Sequence, residues 1–531
     1  MSASFGARTI PEILLEARQQ HGSRPAVALR DPVRGVRWTY DDLVAFAAGV
    51  ARWLSERGIG AGERVILWGP NEPAWSGAFF GCLLVGAVVV PLDARNTPEF
   101  VERVIAKTRP RLQLLGPTQT PVGTVPAVRF AELPSLDRSL SPPTPVPAED
   151  DLAEIVFTSG TTGAPKGVML THRNIVSDVR AMVEVLPILP RYRLLSLLPL
   201  SHMFEQAVGL LAPLSGGASI VYVSTLRPEA IFQALGEERV TSIIAVPQVL
   251  QLFLNAIERE VRRRRREPLW RALHALAARL PFSWRRGLFR PVHRQLGDCL
   301  EFFVCGGAYL DPALAQKWEN MGVKVVQGYG TTETAPAVAA NSLERRNLRS
   351  VGKPLSCNRV RLAPDGEIQV QGTNVTPGYW EDPEATAAAF VDGWYCTGDL
   401  ARQDAEGYLY LIGRKKNMIV LASGENVYPE DIEVLLVKQP GIRDAVVLGL
   451  PRPDGEVEVH AVLLASDPAQ AAAAVKAVNR QLAVYQRIRG MTLWPEEDFP
   501  RTLTMKPRRA EIEPRVRELV AARAGGRSAP V

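Results

Sequence analysis

The chain has 531 residues, 46% apolar and 22% charged, a make-up typical of a water-soluble globular protein that is too long for one core, so two to four domains are expected. The net charge of +6 is uneven: residues 258–297 carry twelve arginines against three glutamates, a local excess that leaves the remainder slightly acidic and argues against a nucleic-acid partner for the protein as a whole. Five cysteines (Cys82, Cys299, Cys305, Cys357, Cys396) make no C-x-x-C pair and the six histidines are scattered, which argues against a Cys/His metal site and for a reducing cytoplasm.

Along the chain, "MSASFGARTIPEILLEARQQ" has no apolar signal-peptide core and reads as mature protein. Through 60–250, short apolar runs ("RVILWGP", "GAVVVPL", "ASIVYV", "SIIAVP") alternate with amphipathic stretches such as "YDDLVAFAAGVARWLSERG". That alternation predicts mostly parallel sheets covered by helices, an α/β fold. The most apolar run, "AFFGCLLVGAVVVPL", is too short and too broken by Gly81, Gly86 and Pro91 to span a bilayer, and reads as a buried helix entering a strand. A Pro-rich connector covers 139–151. From "PDGEIQVQG" short strands and turns predominate, a small β-barrel-like subdomain. Past "LIGRKKN" a new α+β unit begins, with a helix at "PEDIEVLLVKQ", strands at "DAVVLGL" and "VHAVLLA", and helices at 466–488 and 509–523. The expected division is therefore 1–413, a hinge at 414–416, and a small mobile domain at 417–531.

The stretch "IVFTSGTTGAPKGVMLTH" (155–172) joins an apolar strand to a helical pattern through a loop rich in glycine and hydroxyls. Gly160 and Gly163 let successive backbone N–H groups converge on phosphate oxygens, Thr158, Ser159, Thr161 and Thr162 add hydroxyl donors, and Lys166 adds a point charge. No G-x-x-x-x-G-K-[ST] can be read, which argues against a phosphoryl-transferring P-loop ATPase. Taken alone, a Gly/Ser/Thr loop is more often only a loop. Here it is followed in order by "LPLSHMFEQ", "FVCGGAYL", "QGYGTTETAP", "YCTGDL", "LIGRKKNMIV" and "PRTLTMKPRR". Together these seven motifs, spread over nearly the whole chain, resemble the adenylate-forming superfamily of acyl-CoA synthetases, peptide-synthetase adenylation domains and luciferases.

The resemblance implies ATP, Mg²⁺ and coenzyme A as reactants and cofactor. It places the loop Thr158–Gly163 with Lys166 on the ATP phosphates, and Glu333 with Thr161 on Mg²⁺. Tyr329 would lie against adenine within Gln327–Gly330, with backbone at Gly307 and Ala308 near the base edge. Thr331 and Thr332 would donate to the α-phosphate, and Asp399, assisted by Arg414, would bind the ribose hydroxyls. Lys506 matches the lysine that bridges the substrate carboxylate and the α-phosphate, where a cation offsets the meeting of two anions. Met505 stands where the family usually has glycine. Lys416 occupies the hinge position about which the small domain swings between adenylation and thioester formation. Each of these residues alone has an ordinary structural reading; the ordered set carries the assignment.

For the acid, Met203, Phe204, Val246, Cys305, Gly306 and Ala335 suit an uncharged tail, and Met203 falls where amino-acid-activating relatives carry an aspartate. His202 falls at the gate between acyl pocket and thiol tunnel; a buried hydrogen-bonded histidine is the alternative. In the arginine-rich segment, Trp270, Leu273, Ala277 and Leu280 recur at helical spacing, as do Leu288, Val292 and Leu296. The segment resembles bacterial long-chain acyl-CoA synthetases. Residues 259–294 suit an anionic membrane surface, peripheral on its inner face, or form a helical hairpin with a solvated basic face. The expected activity is fatty acid–CoA ligation for a medium-to-long chain. A ligase loading a carrier protein, a CoA ligase for an aryl or branched acid, and a non-catalytic nucleotide- or lipid-binding scaffold remain as alternatives. A homodimer is left open.

Overall fold

The computed structural model describes all residues except 1–5, 32–34, 145, 159–164, 422–424, 453–455, 502–505 and 526–531. Two compact units are formed, one by Met1–Val360, Val370–Tyr395 and Ala405–Leu409, the other by Arg361–Gln369, Cys396–Asp404 and Tyr410–Val531.

The first unit contains two large sheets. A nine-stranded sheet runs in the order Lys353–Pro354, Ala337–Ala340, Lys324–Gly330, Phe302–Cys305, Ser242–Ala245, Arg193–Ser196, Ser219–Val223, Pro25–Arg30 and Val36–Thr39. Its central strands are parallel. A six-stranded sheet runs Ala127–Arg129, Leu112–Leu115, Arg64–Gly69, Val88–Asp93, Leu152–Thr158 and Lys166–Thr171, parallel except for the last pair. Strands buried on both faces read as continuous apolar runs, which is why "RVILWG" and "VVVPLD" carry so few polar residues.

"YDDLVAFAAGVARWLS" forms the helix Tyr40–Ser55, opened by a reciprocal cap: Thr39 Oγ1 accepts from Asp42 N at 3.1 Å, and Asp42 Oδ2 accepts from Thr39 N at 3.0 Å. It packs on the helix Pro73–Leu84, whose side chains are almost all buried and which leads directly into the strand Val88–Asp93. The apolar run at 78–92 is thus a core helix and a core strand. Among the described residues no helix is long and apolar enough to cross a membrane.

A five-stranded sheet corresponds to the small β subdomain expected from the sequence. It contains Asn358–Leu362, Glu367–Gly372, Trp394–Gln403 and Phe390–Val391, with Leu409–Arg414 paired to Trp394–Gln403. In the second unit, Ile442–Pro451 and Val457–Ala465 pair antiparallel and Gly490–Leu493 adds in parallel. Alternate residues serve two cores. Val447, Val459, Ala461 and Leu463 face Ile432, Leu436, Ala471 and Val478. Val446, Leu448, Leu450 and Val462 face Trp494, Phe499, Ile512 and Val516.

One expected element differs. The helix read over 466–488 stops at Asn479, followed by a short 3-10 turn and the third strand. Asn479 explains the stop: its amide donates to Ile488 O at 2.9 Å and accepts from Ile488 N at 2.8 Å, folding the chain back. The last helix spans Arg509–Gly525.

Candidate active site

Four adjacent parallel strands set the site in the first unit. In register, Ser196 lies beside Ile244, Ala245 beside Cys305, and Cys305 beside Gln327. Their carboxyl ends therefore open side by side into the segments that hold His202, Met203 and Phe204, then Val246, then Gly306, Gly307 and Ala308, then Gly328 to Thr332. Ligands of open α/β sheets bind at such strand ends.

Tight turns follow. Gly307 has φ +78, a left-handed conformation that favours glycine. A Cβ on Gly330 would stand 1.8 Å from Pro336 O, so only glycine fits where the chain doubles back. Past it, Thr331 N donates to Thr334 Oγ1 at 3.0 Å, closing a turn that presents Thr332 and Glu333 half-exposed.

Glu333 is held from two sides. Its carbonyl accepts from Thr376 N at 2.8 Å, and its carboxylate accepts from Tyr379 Oη at 3.0 Å. The segment carrying Tyr379 is itself laid along the strand Lys166–Thr171, with Met169 N on Gly378 O at 3.0 Å and Trp380 N on Gly167 O at 2.7 Å. In consequence Lys166 Nζ sits 5.1 Å from the Tyr379 ring centre. Tyr395, buried nearby, has its phenol pKa raised by burial and by the charge of Glu333 and Tyr379, partly offset by the Thr331 hydroxyl. Lys166, Glu333, Thr331 and Tyr329, which is 9% exposed, are thus linked by two tyrosines that the motif analysis did not single out. Tyr395 was legible as the first letter of "YCTGDL"; Tyr379, in "TPGYW", gave no such signal. Thr158 ends its strand and is half-buried, while Ser159, Gly160, Thr161, Thr162 and Gly163, like Met505, lie outside the described residues.

A single half-exposed carboxylate such as Glu333 suits Mg²⁺, which takes one or two protein carboxylates and completes its shell with nucleotide oxygens and water. Among the described residues no group of three or more His, Cys, Asp or Glu side chains could cage a metal.

Of the residues expected to line an acyl pocket, Met203, Val246, Cys305 and Ala335 are buried, at 2%, 5%, 0% and 0% exposure. The half-buried Phe204 ring lies within 3.1 Å of where a Cβ on Gly306 would stand. Burial raises the Cys305 thiol pKa, keeping it neutral. The half-buried His202 has its Nε2 buried without a hydrogen-bond partner, 3.7 Å from Asp93 Oδ2. Burial lowers its pKa; Asp93 opposes this, and Arg95 adds to it. Asp93 is committed to Arg95 through contacts of 2.7 and 3.0 Å. This Asp93–Arg95 pair was not found from the sequence, because "LDARN" resembles any turn after a strand.

In the second unit Asp399, buried at 5% exposure, pairs with Arg414 Nε at 2.8 Å. Lys415 is drawn away onto Asp365 and Glu367, at 2.6 and 3.0 Å. Thr397, Gly398, Arg414, Lys415 and Lys416 line a cavity of ≈ 330 Å³. Lys506 belongs to the same charge cluster: burial, then Arg414 and Lys416, push its pKa down to about 8, while Asp399 acts the other way. The segment that carries it is anchored by Arg501, which bridges Asp444 at 2.7 Å and Asp498 at 2.6 Å and pairs with Pro507.

With this geometry in view, the class is that of AMP-forming CoA ligases. Residues 14–380 match the AMP-binding enzyme family, and the chain belongs to it. It is 33% identical over 443 residues to a feruloyl-CoA synthase of Amycolatopsis, covering 80% of this chain and 83% of the other. It is 31% identical over 446 residues to the long-chain-fatty-acid–CoA ligase FadD15 of Mycobacterium bovis, covering 75% and 73%. A solved Mycobacterium tuberculosis fatty acyl CoA synthetase superposes with a TM-score of 0.69 at 26% identity, covering 96% and 98%.

Replacing Gly330 by alanine should cost about 1–3 kcal/mol, the usual range for overpacking, because the clash is with backbone. Thermal unfolding checks this, and an unchanged Tm would mean the Gly330–Pro336 approach is not a constraint.

Proposed function

We propose that the protein activates a medium-to-long-chain fatty acid as acyl-AMP and passes the acyl group to coenzyme A. The observation that carries the substrate reading is that Met203, Val246, Cys305 and Ala335 are all apolar and buried, Met203 and Ala335 in one core and Cys305 in another. None of the four bears a charge that would select an ammonium or a second anion on the acid. The likeness to a long-chain fatty acid ligase supports the same reading, while the likeness to a feruloyl-CoA synthase makes aryl acids the comparison to test.

In the first half-reaction a carboxylate oxygen bonds to the α-phosphorus and the bond to pyrophosphate breaks. In the second the coenzyme A sulfur bonds to the acyl carbon and AMP leaves. A carboxylate alone has no usable leaving group, which is why the anhydride must come first. Magnesium, when bound with ATP, neutralises phosphate charge, and Glu333, oriented by Tyr379, is its proposed protein ligand.

The remaining roles belong to side chains. Lys166, the Thr158–Gly163 loop and Thr331–Thr332 hold phosphates; Gln327 to Gly330, with Gly307 and Ala308, hold the base; Asp399 and Arg414 hold the ribose. Lys506 supplies the cation that offsets repulsion between the two reacting anions, an interaction that strengthens as the transition state forms. His202 lies at the gate of the acyl site, and Lys416 is the proposed hinge.

A panel of carboxylic acids scored for AMP release with and without coenzyme A tests the substrate reading: fatty acids from medium to long chain should lead, and preference for ferulate or another aryl acid would overturn it. Lys506→Ala should abolish acyl-AMP formation yet leave thioester formation from supplied acyl-AMP largely intact. Equal loss in both half-reactions would remove Lys506 from its role.

The pH dependence follows from its lowered pKa. The cation is present below about 8 and lost above it. Adenylation kcat/KM should therefore fall about tenfold per pH unit above that point. Thioester formation from acyl-AMP should show no such falling limb, and its presence in both steps would point elsewhere.

A further inference from the structure

Between the strands Ser242–Ala245 and Phe302–Cys305 the first unit inserts four helices: Pro247–Arg263, Glu267–Ala277, Phe282–Leu288 and Arg290–Gln295. Their inner sides are fully used. Leu250, Phe253, Leu254, Ile257, Ala277, Phe289, Val292 and Leu296 are buried in one core, with Trp270 and Leu273 packed against it. The apolar spacing that predicts the helix Glu267–Ala277 is therefore accounted for by its core-facing side.

Yet this helix carries a second apolar stripe. Leu269, Ala272 and Leu276 recur at intervals of three and four, hence on one face, and all are exposed, Leu269 at 54% and Leu276 at 47%. Exposed arginines stand three residues beyond each end of the stripe, Arg266 before it and Arg279 after it. On the following helix Trp284 is 70% exposed; on the preceding one Leu252 is exposed, with Arg259 seven residues on along the same face.

The charge around these side chains is one-sided. Ten of the twelve arginines are exposed: Arg259, Arg262 to Arg266, Arg271, Arg279, Arg290 and Arg294. Only Arg285 and Arg286 are half-buried, donating to the Leu280 and Leu300 carbonyls. Of the three glutamates, Glu258 is taken by Lys317 at 2.8 Å and Glu260 by Arg263 and Arg264 at 2.8 and 2.6 Å. Glu267 lies half-buried in the first turn of its helix.

A solvated basic hairpin accounts for the arginines but gives Leu269, Leu276 and Trp284 no reason to face outward. A nucleic acid backbone would engage the guanidinium groups and leave those three side chains in water. An anionic bilayer surface satisfies both sets at once, since headgroup phosphates pair with arginine and the interfacial region takes leucine and tryptophan.

We propose that the helices of 247–295 form a docking face for an anionic lipid bilayer, with the exposed arginines on headgroup phosphates and Leu269, Leu276 and Trp284 inserted at the interface. None of the exposed side chains invoked is among the residues proposed to hold nucleotide or acid, and the inference does not depend on which acid is activated.

The test uses the full chain and cosedimentation with phosphatidylcholine vesicles, with and without phosphatidylglycerol. Binding should require phosphatidylglycerol and weaken as salt is raised. Replacing Arg262, Arg263, Arg264, Arg265 and Arg266 together by glutamine should lower binding by about tenfold or more and flatten the salt dependence. The triple variant L269S/W284S/L276S should also lower binding while leaving the salt dependence in place. Both variants should keep the wild-type unfolding temperature, and wild-type AMP release with a medium-chain acid supplied without vesicles, showing that they are folded. Absence of binding to anionic vesicles, or a triple variant that binds as wild type does, overturns the proposal. So does retention of duplex DNA, but not vesicles, by the wild-type chain with loss only in the arginine variant, which would assign the face to nucleic acid.

Discussion

Register across four parallel strands is the constraint on which the arrangement of the first unit rests. Ser196, Ile244 and Ala245, Cys305 and Gln327 line up across the nine-stranded sheet. Because side chains alternate faces along a strand, a slip of one residue would turn every inward group outward. The ends of those strands and the turns that follow them carry Met203, Val246, Gly307 and Tyr329, residues up to 126 positions apart in the chain. Backbone hydrogen bonding between apolar strands thus does the positioning, and the polar groups are attached where the strands stop.

Electrostatics then divides the labour between groups. In the first unit the Glu333 carboxylate accepts from Tyr379 Oη at 3.0 Å. A carboxylate held by a hydroxyl donor keeps oxygen lone pairs for a hard cation, whereas a bidentate arginine would occupy both of its oxygens. In the second unit the balance is reversed: Arg414, Lys416 and Lys506 lie in one another's fields with Asp399 as the opposing charge. Three partly desolvated cations around one carboxylate are incompletely compensated, which is costly. That cost makes such a cluster receptive to phosphate or carboxylate, and it is the physical basis for Lys506 losing its proton well below the usual lysine range.

Much of this was legible before any coordinates. The apolar run at 78–92 read as a core helix entering a strand, and the alternation through 60–250 as layered α/β structure, and both are found. Glu333, Asp399 and Lys506 were singled out by the resemblance of the ordered motifs to a family, and their roles stand as proposals. Other features were not legible. The helix over 466–488 breaks at Asn479 because a side-chain amide pairs with the backbone of Ile488, nine residues on, and nothing in helical propensity signals that. Arginine and tryptophan count alone also did not separate core from surface within 258–297, where Trp270 packs inward and Trp284 outward.

What the sequence alone determined about this protein is therefore its class: α/β layering, the family, and the residue types that adenylation chemistry requires. These depend on local periodicity and on short ordered motifs, both of which survive in one dimension. Only the tertiary structure decided which side chains meet: Tyr379 on Glu333, Asp93 with Arg95 beside His202, and the stripe Leu269–Leu276 left facing solvent. Such pairings are set by strand order and by which helix face the core has already consumed, and those are properties of the packed chain.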